Sequence, residues 1–245
     1  MKTPCTIPSA LYLDLELNCP DRFKPSDPNP EILEIGIVEL DITSLRIVRE
    51  HDYLVRPHRD ISRRCTKITG LTNEDFKGAK PFKEVIAEIC AEWPGNTASI
   101  AWGEDGAILT RACRHHSVRM PFRPFIDLSQ IVRQALLLEN QLSLGGALER
   151  LGLSFEGRAH TALADARNTA RLHAEMIRRL RAPGVDTTPA PGVSKPTPRT
   201  WFGQLLANSL KANHPAGALI VPGTNHEHSG VKWHARVATS TEPNP

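Results

Sequence analysis

No two cysteines in this chain have CxxC spacing, and the five present (Cys5, Cys19, Cys65, Cys90 and Cys113) are odd in number and widely separated. That argues against a disulfide framework or a zinc knuckle and points to a reducing compartment. No apolar run approaches the ~18 residues needed to span a bilayer, and MKTPCTIPSA at the N-terminus lacks the apolar core of a secretory signal. A soluble, cytoplasmic protein with no membrane partner is expected. Neither sign of charge dominates. With 30 Lys and Arg against 27 Asp and Glu, and a pI of about 8.7, the balance permits a nucleic-acid partner without demanding one. The chain has no internal repeat. What it does have is 245 residues, 40% of them hydrophobic, enough for one sizeable core.

The stretch LYLDLEL at 11–17 places leucine at 11, 13, 15 and 17 and Tyr12, Asp14 and Glu16 between them, and this period of two predicts a strand. Residues 30–41 form a near-continuous apolar run suited to a central strand. Residues 45–57 continue the β pattern, so an antiparallel meander of three strands is expected. From Pro81 the rhythm changes: Phe82, Val85, Ile86, Ile89 and Trp93 recur at helical spacing. A strand over 96–102, a helix over 107–116, a strand passing into a helix near Asp127 and a short helix within 142–153 follow. The long segment 160–182 reads as an amphipathic helix with Leu163, Ala166, Ala170, His173, Ile177 and Leu180 along one side. Strands first and βα alternation later predict an α/β domain, a mixed five-stranded sheet flanked by helices, over 1–182. Residues 183–200 are rich in Pro and Thr and read as a linker. The extension 201–245 is expected to be largely irregular apart from a short helix over 201–211.

In a strand, Asp14 and Glu16 project from the same face with Cα atoms roughly 6–7 Å apart. Such a pair is either a solvated face or half of a cation site, because hard divalent ions turn mutual repulsion into shared coordination. Further ligands must then come from elsewhere. In GRAHTALADARNTARL, Asp165 stands in the first turns of the long helix, where the helix dipole tolerates an anion. His160, a turn earlier, could take a proton from a metal-bound water. Each residue alone is equally readable as a surface or capping group.

The segments DLE at 14–16, KITGLT at 67–72, WGEDGAIL at 102–109 and HTALAD at 160–165 resemble, in order and spacing, the motifs of the DEDDh 3′–5′ exonucleases. Closest in appearance is the branch that trims histone-mRNA and small-RNA ends, with ribonuclease T and the proofreading subunit of bacterial DNA polymerase III more distant. The resemblance covers about residues 10–180. It implies a ribonuclease H-like fold and a site for two Mg²⁺ or Mn²⁺ ions. Asp14, Glu16 and Asp165 would hold one ion, Asp14 would bridge to the second, and a middle-motif aspartate would complete it, with His160 as general base. The implied activity is removal of nucleoside 5′-monophosphates from single-stranded 3′ ends, with RNA favoured over DNA.

In that branch the middle motif runs Trp-Gly-x-x-Asp, which would put the acid at 106, where this chain has glycine. Asp105 is the preferred replacement, because Leu109 lies four residues on and shares its helix face; Glu104 is the alternative. If neither reaches the metal, the chain would be a catalytically weakened nucleic-acid-binding module on the same fold. Leu17, Asn18, Leu71 and Thr72 resemble the family's contacts to the terminal sugar and base, and by the same resemblance His160 would also face the substrate. Glu34, interrupting an apolar strand, is either a support for the site or a water-facing residue. Asp127 reads as a helix N-cap. Neither His115-His116 nor His226-Glu227-His228 has a metal-ligand spacing. Arg158, Arg167 and Arg171 are candidates for phosphate contacts, and Trp201 and Phe202 for docking.

Overall fold

The computed structural model describes residues 9–18, 31–93, 97–122 and 125–183. The linker beyond residue 183, the extension with its expected helix at 201–211, Trp201, Phe202 and the His226-Glu227-His228 triplet lie outside the described residues.

The alternating stretch forms β1 (Ser9–Leu17), the apolar run β2 (Ile32–Asp41), and the third segment β3 (Arg46–Leu54). These three pair antiparallel, as the meander requires. Two short strands, β4 (Ala98–Ala101) and β5 (Phe125–Asp127), continue the sheet parallel to β1, giving the order β3-β2-β1-β4-β5. The expected mixed five-stranded sheet is the observed one. Its helices are α1 (Arg63–Thr69), α2 (Phe82–Glu92), α3 (Asp105–His115), α4 (Leu128–Ala135), α5 (Leu144–Arg150) and α6 (Ala162–Leu180).

The pleat of β1 divides the core. Leu11, Leu13 and Leu15 pack with Val85, Ile86, Ile89 and Leu109 from α2 and α3. Ala10 and Tyr12 pack on the opposite face with residues of α4, α5 and α6. Helix α6 is more deeply covered than a one-sided stripe requires: Ala166 and Ala170 are buried, but so are Asn168, Thr169, Leu172 and Met176, while Leu163, His173, Ile177 and Leu180 are only half-buried. The reason is that α6 contacts β1, β2 and β3 on one side and α5 on another.

One position allows that approach. A Cβ on Gly36 would lie 2.3 Å from the Ala162 carbonyl carbon and 2.4 Å from Leu163 N, so backbone meets backbone where α6 begins. In the ladder Gly36 sits opposite Asp14 on one side and Asp52 on the other. The first turn of α6 is therefore seated directly beside the acid of β1.

Two elements escape the periodicity of the sequence. Helix α1 has seven residues, only Cys65 and Thr69 of them buried; Ser62 caps its start by accepting from Cys65 N, and Gly70 ends it at φ +83°. Helix α3 begins at Asp105, two residues before the apolar pattern predicts. Gly106, which reads as a breaker, is buried with the Phe125 ring against it, where a Cβ would lie 2.4 Å from the ring.

Candidate active site

Four carboxyl groups and an imidazole converge at the end of β1. Asp14 is half-buried and Glu16 is 8% exposed. Asp165, in the first turn of α6, comes to the same place because Gly36 lets the helix in. Its Oδ2 accepts a hydrogen bond from His160 N at 2.9 Å, closing the turn before the helix. His160 has φ +64°, a left-handed conformation that turns the chain sharply and leaves its side chain exposed. One ligand atom each from Glu16, His160 and Asp165 lie within 4.8 Å of one another.

The two candidates for the middle acid occupy different environments. Glu104 is exposed, at the N-cap of α3. Asp105, the first residue of that helix, is half-buried and close enough to Asp14 and Glu16 to raise the proton affinity of both. Burial followed by the charges of Asp105, Asp165, Glu16 and Glu34 pushes the Asp14 carboxyl well above its ordinary value. Burial, then Asp165 and Asp105, pushes Glu16 up to about 8, with Arg158 opposing. Burial lifts Asp105 to about 7. Asp165 is raised by burial too, an effect opposed by the hydrogen bond and charge of His160. Gathering such groups without a compensating cation is costly, and hard oxygen donors of this number suit a divalent ion such as Mg²⁺ or Mn²⁺. The donor set fits the cofactor that the motifs imply.

A second layer supports these acids. Glu34, opposite Glu16 in the ladder, is 3% exposed and faces inward. Burial and a hydrogen-bonded carboxyl from Asp52 push it up to about 8, while the Ala162 N–H at the start of α6 hydrogen-bonds to it and opposes the shift. Its Oε2 is buried with no hydrogen-bond donor among the described residues. Asp52, which the sequence reading did not single out, is legible only as a residue sharing the face of an alternating strand. Asp127 is the N-cap of α4, accepting from Ser129 N and Gln130 N, and it also accepts from Gly103 N at 3.0 Å. It thereby ties the Trp102-Gly103 turn that leads into α3.

The proposed substrate contacts line the same end of the sheet. Leu17 is half-buried against the α2/α3 core, and its carbonyl accepts from Cys65 Sγ at 3.5 Å. The Asn18 amide donates to Glu31 Oε2 at 3.0 Å and to the Arg59 and Asp60 carbonyls at 3.4 Å, so its side chain braces loops. Leu71 packs beside Leu33, Cys65 and Phe76. Thr72 donates through both N–H and hydroxyl to Asp75 at 2.7 Å, capping the short 3-10 turn Asn73–Phe76. Arg158 lies over Gly70, where a Cβ would be 1.9 Å from its guanidinium, and so stands between the ITGLT segment and Glu16. Arg167 pairs with Glu50 at 2.7 Å and Arg171 with Glu156 at 2.7 Å. Those pairings turn both arginines away from the role of unpaired phosphate donors.

The chain is similar to known nucleases in sequence and in fold. The family model described as exonuclease (RNase_T) matches residues 11–173, and the chain belongs to that family. The 3′-5′ exonuclease Snipper of Drosophila melanogaster is 25% identical over 195 residues, covering 69% of each chain. A PolC-type DNA polymerase III of Thermotoga maritima is 30% identical over 166 residues, and ERI1 exoribonuclease 2 of Mus musculus 28% over 197. The chain spans only 11% and 28% of those two proteins. In fold it is similar to the nuclease domain of 3′hExo, a DEDDh family member solved with rAMP, with a TM-score of 0.65, 23% identity, and coverage of 72% of this chain and 94% of that one.

Proposed function

We propose that this chain is a divalent-metal-dependent 3′–5′ exonuclease that removes nucleoside 5′-monophosphates from single-stranded ends, RNA in preference to DNA, in a reducing cytoplasmic compartment. The observation that carries the reading is the convergence of Asp14, Glu16, Asp105 and Asp165 with His160 beside them. Asp14, Glu16 and Asp165 would hold one ion, and Asp14 with Asp105 the second. Such a pair of ions, when bound, stabilises the attacking and leaving oxygens of an in-line displacement at phosphorus. The chain's own part is to hold four carboxylates ionised toward the ions and to present His160, exposed beside Glu16 and Asp165, as the acceptor of the nucleophile's proton. Leu17, Asn18, Leu71 and Thr72 would frame the terminal nucleotide, the last three through backbone groups and packing because their side chains are engaged. The RNA preference rests on the relatives named as exoribonucleases.

Gly106 is the one observation favouring the second reading, a weakened nucleic-acid-binding module. The burial of Asp105 beside Asp14 and Glu16 favours the enzyme. The test is Mn²⁺-dependent shortening of a 5′-labelled single-stranded RNA, with a matched DNA alongside. Asp14→Ala is expected to abolish it, Asp105→Asn to cost about 100-fold or more and Glu104→Gln less than about threefold, on the scale of lost transition-state stabilisation. Binding without shortening by the wild-type chain would establish the module instead.

A further inference from the structure

A cavity of about 380 Å³ opens at the same end of the sheet as the acids but on the α2/α3 side. Its floor is apolar, formed by Ile32, Val55, Phe82 and Ala112, all buried. Its rim is cationic and aromatic: Arg56, His58, Arg59, His115 and His116 surround it. The ring of His116 lies 4.8 Å from that of Phe82 and 6.4 Å from that of His58, with His115 at 5.0 Å. Among the described residues one acid lines the cavity, Glu31, and it is already occupied by His58 N–H, Arg59 Nε at 3.5 Å and the Asn18 amide. Among the described residues no acidic side chain pairs with Arg56. His116 is held below its ordinary value by burial and then by His115, His58 and Lys83, which places it among like charges rather than opposite ones. The volume admits a nucleotide-sized group, and a dry floor with a cationic rim suits a nucleoside bearing a phosphate.

This cavity is joined to the acids by two short structural links. Asn18, two residues beyond Glu16, is hydrogen-bonded to the cavity wall at Glu31. Helix α3 starts at Asp105 and ends at His115, a run of about 15 Å, with the exposed Arg111 between them. We propose that the cavity grips a backbone phosphate and its nucleoside a few nucleotides upstream of the 3′ terminus, so that the strand is held at two points. The inference rests on the nuclease reading for the identity of the strand. Arg56 supplies a bidentate donor to the phosphate, and the imidazoles supply further donors and stacking surfaces.

The test compares a trinucleotide with a 12-mer as substrates for the full chain. Arg56→Gln and, separately, His115→Ala are expected to raise KM about tenfold for the 12-mer and leave the trinucleotide KM and both kcat values unchanged, and Arg56→Gln also to flatten the log–log salt dependence of 12-mer binding by about 0.7. Two surface variants with unchanged melting temperature guard against misfolding. A second readout needs no turnover: in EDTA, the 12-mer is expected to shift the imidazole NMR resonances of His58, His115 and His116. If the wild-type chain shortens nothing, the nuclease reading fails, while these shifts still decide the site. KM changes equal for both lengths, no change at all, or imidazole shifts with free AMP but not with the 12-mer would each overturn the proposal.

Discussion

The two faces of β1 follow the same alternation and end in opposite chemistry. On one, Leu11, Leu13 and Leu15 are sealed by α2 and α3, and nothing polar interrupts them. On the other, Ala10 and Tyr12 begin an apolar surface that passes within one residue pair into Asp14 and Glu16. Tyr12 marks the change of character: its hydroxyl meets His173 Nδ1 at 2.7 Å, and burial drives the Tyr12 hydroxyl up and the His173 imidazole down to about 4. At neutral pH both are uncharged. A strand can therefore be anchored by one face and carry repelling charges on the other, provided the anchoring face contributes more than the repulsion costs.

Substitutions one residue apart should separate these contributions. Asp14→Asn is expected to lower the degradation rate by at least about 1,000-fold while raising the melting temperature of the metal-free protein, because it removes a repelling group from the cluster. Leu13→Ala should do the reverse in kind, costing about 2–5 kcal/mol in urea unfolding. If Asp14→Asn destabilised the metal-free chain as much as Leu13→Ala does, the division between the faces would be wrong.

A change of pH tests the acidic face as a group. Glu16 goes from an unfolded value of 4.5 to about 8 in the fold, and Asp14 and Asp105 are raised as well. The folded state thus binds more protons than the unfolded one across that interval, so stability of the metal-free protein falls as pH rises from about 4.5 to 8. A melting temperature several degrees lower at pH 8 than at pH 5 in EDTA is expected. Mn²⁺ should restore more at pH 8 than at pH 5, since it binds the ionised carboxylates. A melting temperature that rises with pH in EDTA would contradict the electrostatics. The smallest effect belongs to the boundary: Tyr12→Phe removes one hydrogen bond and leaves the half-buried His173 ring without that partner, for about 1–3 kcal/mol of stability and little loss of rate.

The same contrast explains how much was legible in the sequence. Alternation in 11–17 displays both faces of β1 at once, and the apolar run of β2 marks its central place, because strand burial is written in period two. Helix α1 is not legible that way: two buried residues in seven leave no stripe, and only Ser62 and Gly70 mark its ends. The start of α3 is obscured because Gly106 has the composition of a breaker and the role of a packing surface for Phe125. His160 and Asp165 are unremarkable locally. They become candidates only through the order of four motifs, since their meeting with Asp14 and Glu16 is a tertiary event. The cavity at His115 and His116 was invisible for a related reason: adjacent histidines fail a metal-spacing test, and the partners that give them meaning come from β2 and the segment after β3.

Gly36 links the assembly of the site to the seating of one helix. While the chain is unfolded, Asp14 and Asp165 are separated by most of the domain and exert no appreciable force on one another. Strands β1 and β2 can pair, and the leucine face can be covered, before any of that repulsion is felt. It arises where the backbone at Ala162 and Leu163 meets the bare position at Gly36. Seating α6 thus adds the charge of Asp165 to those of Asp14, Glu16 and Asp105, and a cation shared by Asp14 and Asp165 would tie the helix to β1.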